Sequence, residues 1–326
     1  MNKKIKIFLG WSITLYFLYL TIGRMDFAQA LTQIHSVKLS WIFLAIIALA
    51  CDYAMRVVRW QFMFQSTEFN PPLWLCGRFF LIGNALNNIL PLRAGDLYRI
   101  VQFSEKSNIP SGIVLATVAV ERVFDITALL FLLYLGISGE TGRLIFGNFP
   151  SEIQQAVKLF TAACFVGALT LLFIPLQIKN LLKIFNGYIP IPKKILTFLN
   201  DTLDAIQSLL SPRRALYLIA FSLAAWFLES LAYGSVQASL SLELPINAML
   251  ISNAFATIST LFPSSPGYVG TFHYFAALSL TPFEVNSSIA ASFAIIMHAL
   301  LWICVSSFGL LAYFTTLNPL HNLSKK

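Results

Sequence analysis

Charged residues are scarce in this sequence. Asp, Glu, Lys and Arg make up only 11% of its 326 residues, whereas soluble domains carry about 25%. Hydrophobic residues reach 57% and gather in stretches of about 20 residues, the length that a helix needs to cross the hydrocarbon core of a bilayer. This composition excludes an ordinary soluble domain. It predicts an all-α polytopic membrane protein in which residues 1–326 form a single membrane domain.

Cysteine is also scarce, and the common catalytic motifs are missing. The four cysteines are far apart in apolar surroundings, with no C-x-x-C pair and no Cys/His cluster, so we expect neither a metal site nor disulfides. No P-loop, H-E-x-x-H or G-x-G-x-x-G motif occurs, so we expect no cofactor and assign no catalytic residue. The net charge of +8 is explained by the Lys and Arg residues that membrane proteins carry in their cytoplasmic loops. No nucleic-acid partner is therefore expected.

Nine apolar segments follow one another along the chain. Two regions contain helix-breaking residues: the third segment ends at Pro91 after three asparagines, and Pro263, Pro266, Gly267 and Gly270 interrupt the seventh and eighth. Because non-helical backbone at membrane depth must be covered by protein or water, these regions predict two re-entrant broken-helix hairpins. The other segments predict about six full transmembrane helices. The nine segments are 7–23, 39–60, 72–90, 109–136, 156–176, 214–238, 246–262, 266–281 and 286–316.

A polar stretch, residues 177–213, separates two similar halves. Apolar residues within 193–210 recur at helical spacing, which predicts an amphipathic connecting helix on the cytoplasmic face of the membrane. Before the stretch, residues 1–176 contain a span, a hairpin and a span. After it, residues 214–326 repeat that order in the opposite orientation. Inverted repeats of this kind place substrate sites near the bilayer midplane, where broken helices meet.

The distribution of positive charge predicts the orientation. With this topology, 17 of the 22 Lys and Arg residues fall in cytoplasmic pieces, which places both termini in the cytoplasm. The first apolar segment is long for a signal peptide, so we expect it to be retained as the first transmembrane helix. The expected location is a plasma membrane of the bacterial, inner-membrane type. The cytoplasmic pieces are 1–6, 56–108, 177–214 and 317–326.

Several charges lie inside or beside apolar segments, where each costs roughly 2.5–3.5 kcal/mol. Glu121, Arg122 and Asp125 share the stretch "VAVERVFDITALL", and Arg93 stands just after the first break. Arginine forks suit phosphate oxygens, so the cluster favours a cavity for a charged head group. An ion-pair network that only locks helices together is the alternative. The predicted substrate-binding residues are Asn87, Asn88, Arg93, Asp96, Arg99, Glu121, Arg122 and Asp125.

Individual residues near the cluster carry narrower predictions. Pro91 ends the helix before it because proline lacks an N–H, and Gly95 is expected to permit a backbone turn. Arg99 also fits the pattern of a positive-inside anchor on the cytoplasmic side. The further charges within or beside apolar segments, to which no site role is assigned, are Asp52, Arg56, Arg59 and, standing alone, Glu229.

The second break, "FPSSPGYVGTFHYF", contains no charge. Its proline and glycine residues permit tight turns and close helix approach. Freed amides there, together with Ser264, Ser265, Tyr268 and Thr271, could bind an anion at the start of a helix near Gly270. A simple turn between two helices is the alternative. The residues predicted to form breaks or gates in the two hairpins are Pro91, Gly95, Pro263, Pro266, Gly267 and Gly270.

Three stretches carry a family resemblance: "ILPLRAGDLYRI", "ATVAVERVFDITALL" and "LFPSSPGYVGTFHYF". In this order and spacing they resemble the flippase-like membrane domain of lysylphosphatidylglycerol synthases, which also occurs as a stand-alone family. The family's Pro-x-Arg-x-Gly-acid-x-x-Arg pattern matches residues 91–99, with Asp96 where Glu is commoner. Its Glu-Arg-x-x-Asp pattern matches residues 121–125, and its Pro-x-x-Pro-Gly-x-x-Gly pattern matches residues 263–270.

The resemblance implies a domain that moves lipids, such as aminoacylated phosphatidylglycerol, between leaflets. No soluble aminoacyl-transferase region follows the last predicted span, so lipid aminoacylation is not expected, and the lipid itself is not implied. The leading hypothesis is a transporter, not an enzyme, for a phospholipid or a polyprenyl-phosphate lipid. The alternatives are a membrane enzyme or accessory subunit in lipid or lipid-linked glycan synthesis, and a non-catalytic scaffold. The expected partners are membrane lipids and, under the second hypothesis, a lipid-modifying enzyme.

Overall fold

The computed structural model describes residues 3–23, 26–90, 93–188, 192–260 and 266–315. Within these ranges the chain forms α-helices joined by short turns, and no β-strand. The helices are α1 (Lys3–Ile22), α2 (Phe27–His35), α3 (Leu39–Phe64), α4 (Leu73–Ile89), α5 (Ala94–Ser107), α6 (Ser111–Ile137), α7 (Gly139–Gly147), α8 (Ser151–Tyr188), α9 (Lys193–Leu209), α10 (Pro212–Ser239), α11 (Ile246–Ser259), α12 (Thr271–Leu278) and α13 (Ser287–Phe314). Short 3-10 turns flank α12 at Pro266–Tyr268 and Thr281–Phe283.

Six helices of the described part have 20 or more residues, namely α1, α3, α6, α8, α10 and α13. They coincide with the predicted long segments. Among the described residues, α3, α10 and α13 are long and apolar enough to cross a membrane by length and composition. Helix α6 has 27 residues, or about 40 Å at 1.5 Å per residue, and it carries three charges near its middle. The predicted all-α membrane fold is confirmed.

The two interrupted regions fold as helical hairpins, α4–α5 and α11–α12. Their arms have 17, 14, 14 and 8 residues, so even the longest arm is about 25 Å, shorter than the roughly 30 Å hydrocarbon core. The second arm of the first hairpin, α5, is absent from the predicted apolar segments because charged residues interrupt it. Pro91 and Pro263, predicted as breaks, lie outside the described residues.

The helices of the two halves pack in the reciprocal way that an inverted repeat requires. In chain order, α3, α4–α5 and α6 correspond to α10, α11–α12 and α13. Helix α3 packs against its counterpart α10. Helix α4 packs against α13, and in the matching contact α11 packs against α6. Each hairpin is therefore held by the last long helix of the other half.

Small residues bring the first hairpin into close contact with its surroundings. A Cβ added to Gly95 would lie 2.0 Å from the carbonyl oxygen of Gly83, and one added to Gly309 would lie 2.2 Å from Cβ of Ala85. Gly95 is buried inside α5, so the predicted backbone turn at this residue is wrong, and the need for glycine is one of space. The left-handed residue is its neighbour Arg93, with φ 53°.

The polar connector is more helical than the sequence suggests. Helix α8 continues to Tyr188, past the predicted boundary at residue 176. The predicted amphipathic helix is present as α9, and it packs against α6. Leu203 and Leu209 are buried there, and Gly112 of α6 lies so close that an added Cβ would be 2.6 Å from the carbonyl oxygen of Phe198. The apolar face of α9 is therefore covered at least partly by protein.

Candidate functional site

A polar cavity of about 180 Å³ lies between the two hairpins and the long helices. Its lining residues recur at helical spacing on most of its walls. Helix α4 contributes Phe80, Asn84 and Asn88, four residues apart. Because residues at this spacing share one face of a helix, one face of α4 lines the cavity. The other walls come from α3, α6, α10, α11, α13, the turn before α12 and α12 itself, through Tyr53, Arg56, Glu121, Arg122, Trp226, Glu229, Tyr233, Thr257, Thr260, Gly267, Tyr268, Phe272, His298, Leu301, Trp302 and Val305.

Arg122 is the most accessible arginine of the cavity wall. Its side chain is 32% exposed, and its Nη2 atom donates to both carboxylate oxygens of Asp96, at 3.0 and 2.9 Å. Asp125, three residues further along α6, forms a longer ion pair with Nη1 of Arg122, at 3.9 Å. Asn87 holds Asp96 in place from α4: its Nδ2 donates to Oδ1 of Asp96 at 3.1 Å, and its Oδ1 accepts from the Asp96 N–H at 3.2 Å. Arg122 is thus held in place by Asp96 while part of its side chain remains accessible from the cavity.

Arg56 forms the second charged part of the cavity wall. Its Nε donates to Asp52 at 2.7 Å, its Nη2 donates to Glu229 at 2.7 Å, and its guanidinium lies 4.3 Å from the ring centroid of Trp226. Glu229, the lone charge of its apolar segment, is therefore paired in the fold, with a partner that lies 173 residues away in sequence. The cavity presents both signs of charge on α3 and α10 as well as on α6.

Behind the cavity, Arg59 and Asp125 form a closed core between α3, α6 and α10. Arg59 is 0% exposed, and its Nη1 atom donates to Asp125 at 2.6 Å and to Ser222 at 2.5 Å. Trp226 completes the arrangement by donating from Nε1 to the same Asp125 oxygen at 3.0 Å. A buried carboxylate that accepts two hydrogen bonds, one of them from a buried arginine, is costly to disturb. Asp125 therefore belongs to the helix core and not to the cavity surface.

Arg99 is likewise sealed in protein. Its side chain is 0% exposed, donates to both carboxylate oxygens of Glu121 at 3.4 and 3.2 Å, and lies 4.7 Å from the ring centroid of Trp60 and 5.0 Å from that of Phe80. The interpretation of Arg99 as a cytoplasmic anchor is wrong, since an anchor would extend to the head-group region. Arg99 instead fixes Glu121, which itself lines the cavity.

The two helix breaks meet at the cavity. Arg93, at the start of α5, donates from Nη2 to Thr260 at the end of α11, at 3.2 Å. A Cβ on Gly267 would lie 3.4 Å from the carbonyl oxygen of Asn88. His298 donates from Nε2 to the carbonyl of Gly267 at 2.7 Å. The helix-lock alternative would pair Arg93 with the carboxylates of α6. In the described part of the chain, Arg93 forms no such ion pair.

The second break contains the predicted turn. Gly267 and Gly270 have φ of 73° and 88°, values that glycine adopts without strain. A Cβ on Gly270 would also lie 2.5 Å from the carbonyl oxygen of Thr14 in α1. The N–H of Gly270 donates to Nδ1 of His273 at 3.3 Å, so one amide at the start of α12 is already used by the chain itself. Ser264 and Ser265, predicted to help bind an anion, lie outside the described residues.

The predicted site residues thus divide into three groups. Asn88, Glu121, Arg122 and Gly267 line the cavity. A second group supports the wall from behind, and a third lies in helix contacts. The supporting residues are Asn87, Arg93, Asp96, Arg99 and Asp125, and those in helix contacts or turns are Gly95, Pro266 and Gly270.

Sequence reasoning assigned no site role to several cavity residues, although a signal exists. Trp226, Glu229 and Tyr233 stand three and four residues apart on α10, so they share the face that lines the cavity. Tyr53 and Arg56 stand three apart on α3 in the same way. One glutamate in an apolar helix, with aromatic residues at helical spacing on either side, is the pattern that indicates these residues.

The sequence model of the lysylphosphatidylglycerol synthase transmembrane-region family matches residues 7–309. The chain belongs to this family. It is also similar to a UPF0104 membrane protein of Methanocaldococcus jannaschii, with 26% identity over 234 residues, which cover 70% of this chain and 93% of that protein. No solved structure matches the chain significantly. The match and the apolar helices together show an integral membrane protein, and the matched region contains both hairpins and the cavity.

Proposed function

We propose that the protein moves a lipid with a charged head group between the leaflets of the membrane, with the head group passing through the cavity. The observation that carries the proposal is the position of Arg122. It is an accessible arginine within an apolar helix, it lines a cavity where two broken hairpins meet, and such sites are typical of transporters built from inverted repeats.

The charges of the wall suit a head group that has a phosphate, alone or together with an amine. Arg56 and Arg122 supply guanidinium forks that match phosphate oxygens. Glu121 and Glu229 supply carboxylates that can meet an ammonium group. Because Arg99 and Asp96 hold Glu121 and Arg122 by hydrogen bonds, the wall is arranged before a ligand arrives, which lowers the entropy cost of binding.

The size of the cavity limits what enters it. About 180 Å³ is smaller than the roughly 300–1,000 Å³ of pockets that enclose a drug-sized ligand. The cavity can take a head group but not a whole lipid, so the hydrocarbon chains remain outside it during passage. The charged wall lowers the cost of bringing a phosphate to membrane depth, and the bond between Arg93 and Thr260, where the breaks touch, is the contact that must yield.

Transport by the Arg122→Gln variant tests the proposal. The protein is reconstituted in vesicles with a lipid labelled on its acyl chain, and leaflet exchange is followed by chemical reduction of the label from outside. Zwitterionic, anionic and aminoacylated head groups are compared. We expect Arg122→Gln to abolish exchange of the preferred lipid while the protein stays folded, with a melting temperature lowered only modestly by loss of the pair with Asp96. The matched control is Arg143→Gln on α7, an exposed arginine outside the cavity. Equal exchange by wild type and Arg122→Gln would reject the proposal.

A further inference from the structure

An apolar groove of about 330 Å³ runs between α4 and α13 on the outside of the helix bundle. Its walls are formed by hydrocarbon side chains that are exposed, including Ile89, Ile303 and Leu310. The small, exposed residue Ser307 leaves space on the α13 side of the groove, whereas Gly309 is a point of close contact between α13 and α4. The lining runs from residue 82 to 89 on α4 and from 302 to 313 on α13, or about 10 Å and 16 Å of helix at 1.5 Å per residue.

The groove adjoins the polar cavity. Trp302 lines both of them. Asn88, which lines the cavity, donates from Nδ2 to Oγ of Ser306, which lines the groove, at 3.4 Å. One indole and one long hydrogen bond therefore separate the charged space from the apolar one. This boundary lies beside Gly267, where the second hairpin break touches Asn88.

We propose that the groove holds one hydrocarbon chain of the same lipid whose head group enters the cavity. The inference rests on the proposed function and identifies how the lipid is held outside the polar site. A cavity too small for a whole lipid requires a place for the chain within reach of the head group, and this groove lies against the cavity wall at Trp302. In a bilayer, an apolar groove gains nothing from hydrophobicity alone, since lipid tails are equally apolar. Its selectivity comes from fit and from the head group held at its end.

Photolabelling tests the groove without reference to transport. The probe is a phosphatidylglycerol with a diazirine in the middle of one acyl chain, in vesicles that contain the full chain, and labelled peptides are mapped by mass spectrometry. We expect labelling concentrated on residues 82–89 and 302–313. Ser307→Phe should fill the groove and lower that labelling several-fold. The control is Thr127→Phe, an exposed hydroxyl position on α6 outside the groove, which should leave the labelling unchanged. Should Ser307→Phe fold poorly, Leu310→Trp fills the same groove from an exposed position.

The outcomes separate this inference from the proposed function. Labelling spread evenly over exposed apolar helix faces, or unaffected by Ser307→Phe, overturns the groove as a chain site. Cross-links between two copies of the protein through these residues also overturn it, because the groove is then an interface. Groove labelling that depends on Ser307 supports the chain site even when leaflet exchange is absent, in which case only the transport proposal fails.

Discussion

One ion-pair network contains arginines in two different settings, an inner part closed off by protein and a part that lines the cavity. In the inner part, Arg59 and Arg99 are 0% exposed and bonded to the carboxylates of α6. In the cavity part, Arg56 and Arg122 are also paired, yet both line an open space. The comparison teaches that a charge within a membrane protein does not indicate binding by itself. What separates the two parts is whether the guanidinium reaches the cavity: Arg56 and Arg122 line it, whereas Arg59 and Arg99 do not.

The largest effect on stability is expected in the inner part, at Arg59. Arg59→Leu leaves the buried carboxylate of Asp125 with one hydrogen bond, from Trp226, and two longer ion pairs, to Arg56 and Arg122 at 3.7 and 3.9 Å. Removal of one partner from a buried pair costs about 3–5 kcal/mol. The melting temperature in detergent and the yield of folded protein should both fall sharply. Arg143→Leu on the exposed face of α7 is the control. A stable Arg59→Leu variant would remove the distinction between the two parts.

A charge swap across the pair of Asp96 and Arg122 sharpens the comparison. Asp96→Arg with Arg122→Asp keeps an ion pair between α5 and α6 but removes the guanidinium from a residue that lines the cavity. Because the pair is only partly buried, we expect a modest loss of stability, smaller than at Arg59. Leaflet exchange should be lost. If the network is only a helix lock, as in a non-catalytic scaffold, the swapped protein keeps its function.

The smallest effect is expected where the two breaks touch. Thr260→Val removes the oxygen that accepts from Arg93, and a single partly buried hydrogen bond contributes about 0.5–1.5 kcal/mol. The melting temperature should fall slightly while leaflet exchange becomes faster, since a contact that must open is weakened. The control is Thr127→Val, which loses an intrahelical hydrogen bond at an exposed position of α6. Slower exchange by Thr260→Val would show that the contact with Arg93 serves transport in another way.

The sequence predicts the helices and hairpins well because their signals are local. Apolar length marks the long helices, and prolines and glycines mark the breaks. Helix α5 is not predicted because its charged residues interrupt the apolar pattern. Only the fold shows that one of them, Arg99, is enclosed by Glu121 and Trp60. Gly95 is singled out for a turn, when the close approach of Gly83 is what requires it.

The composition of the site could be predicted only in part, because its partners are distant in sequence. Arg59 and Asp125 are 66 residues apart, and Arg56 and Glu229 are 173 apart. No spacing rule connects residues on different helices without an alignment or a fold. The count of Lys and Arg in cytoplasmic pieces has the same weakness. It includes Arg56, Arg59 and Arg99, although all three are buried. The orientation of the termini therefore stays a prediction.

Native mass spectrometry of the purified protein tests most directly whether Arg122 holds a lipid head group. The wild type, Arg122→Gln and Arg143→Gln are purified in the same mild detergent and compared for retained lipid. The predicted result is a retained lipid with a phosphate head group on the wild type and Arg143→Gln, and loss of that lipid from Arg122→Gln although this variant remains folded. Equal lipid retention by all three proteins would contradict a head-group site at Arg122.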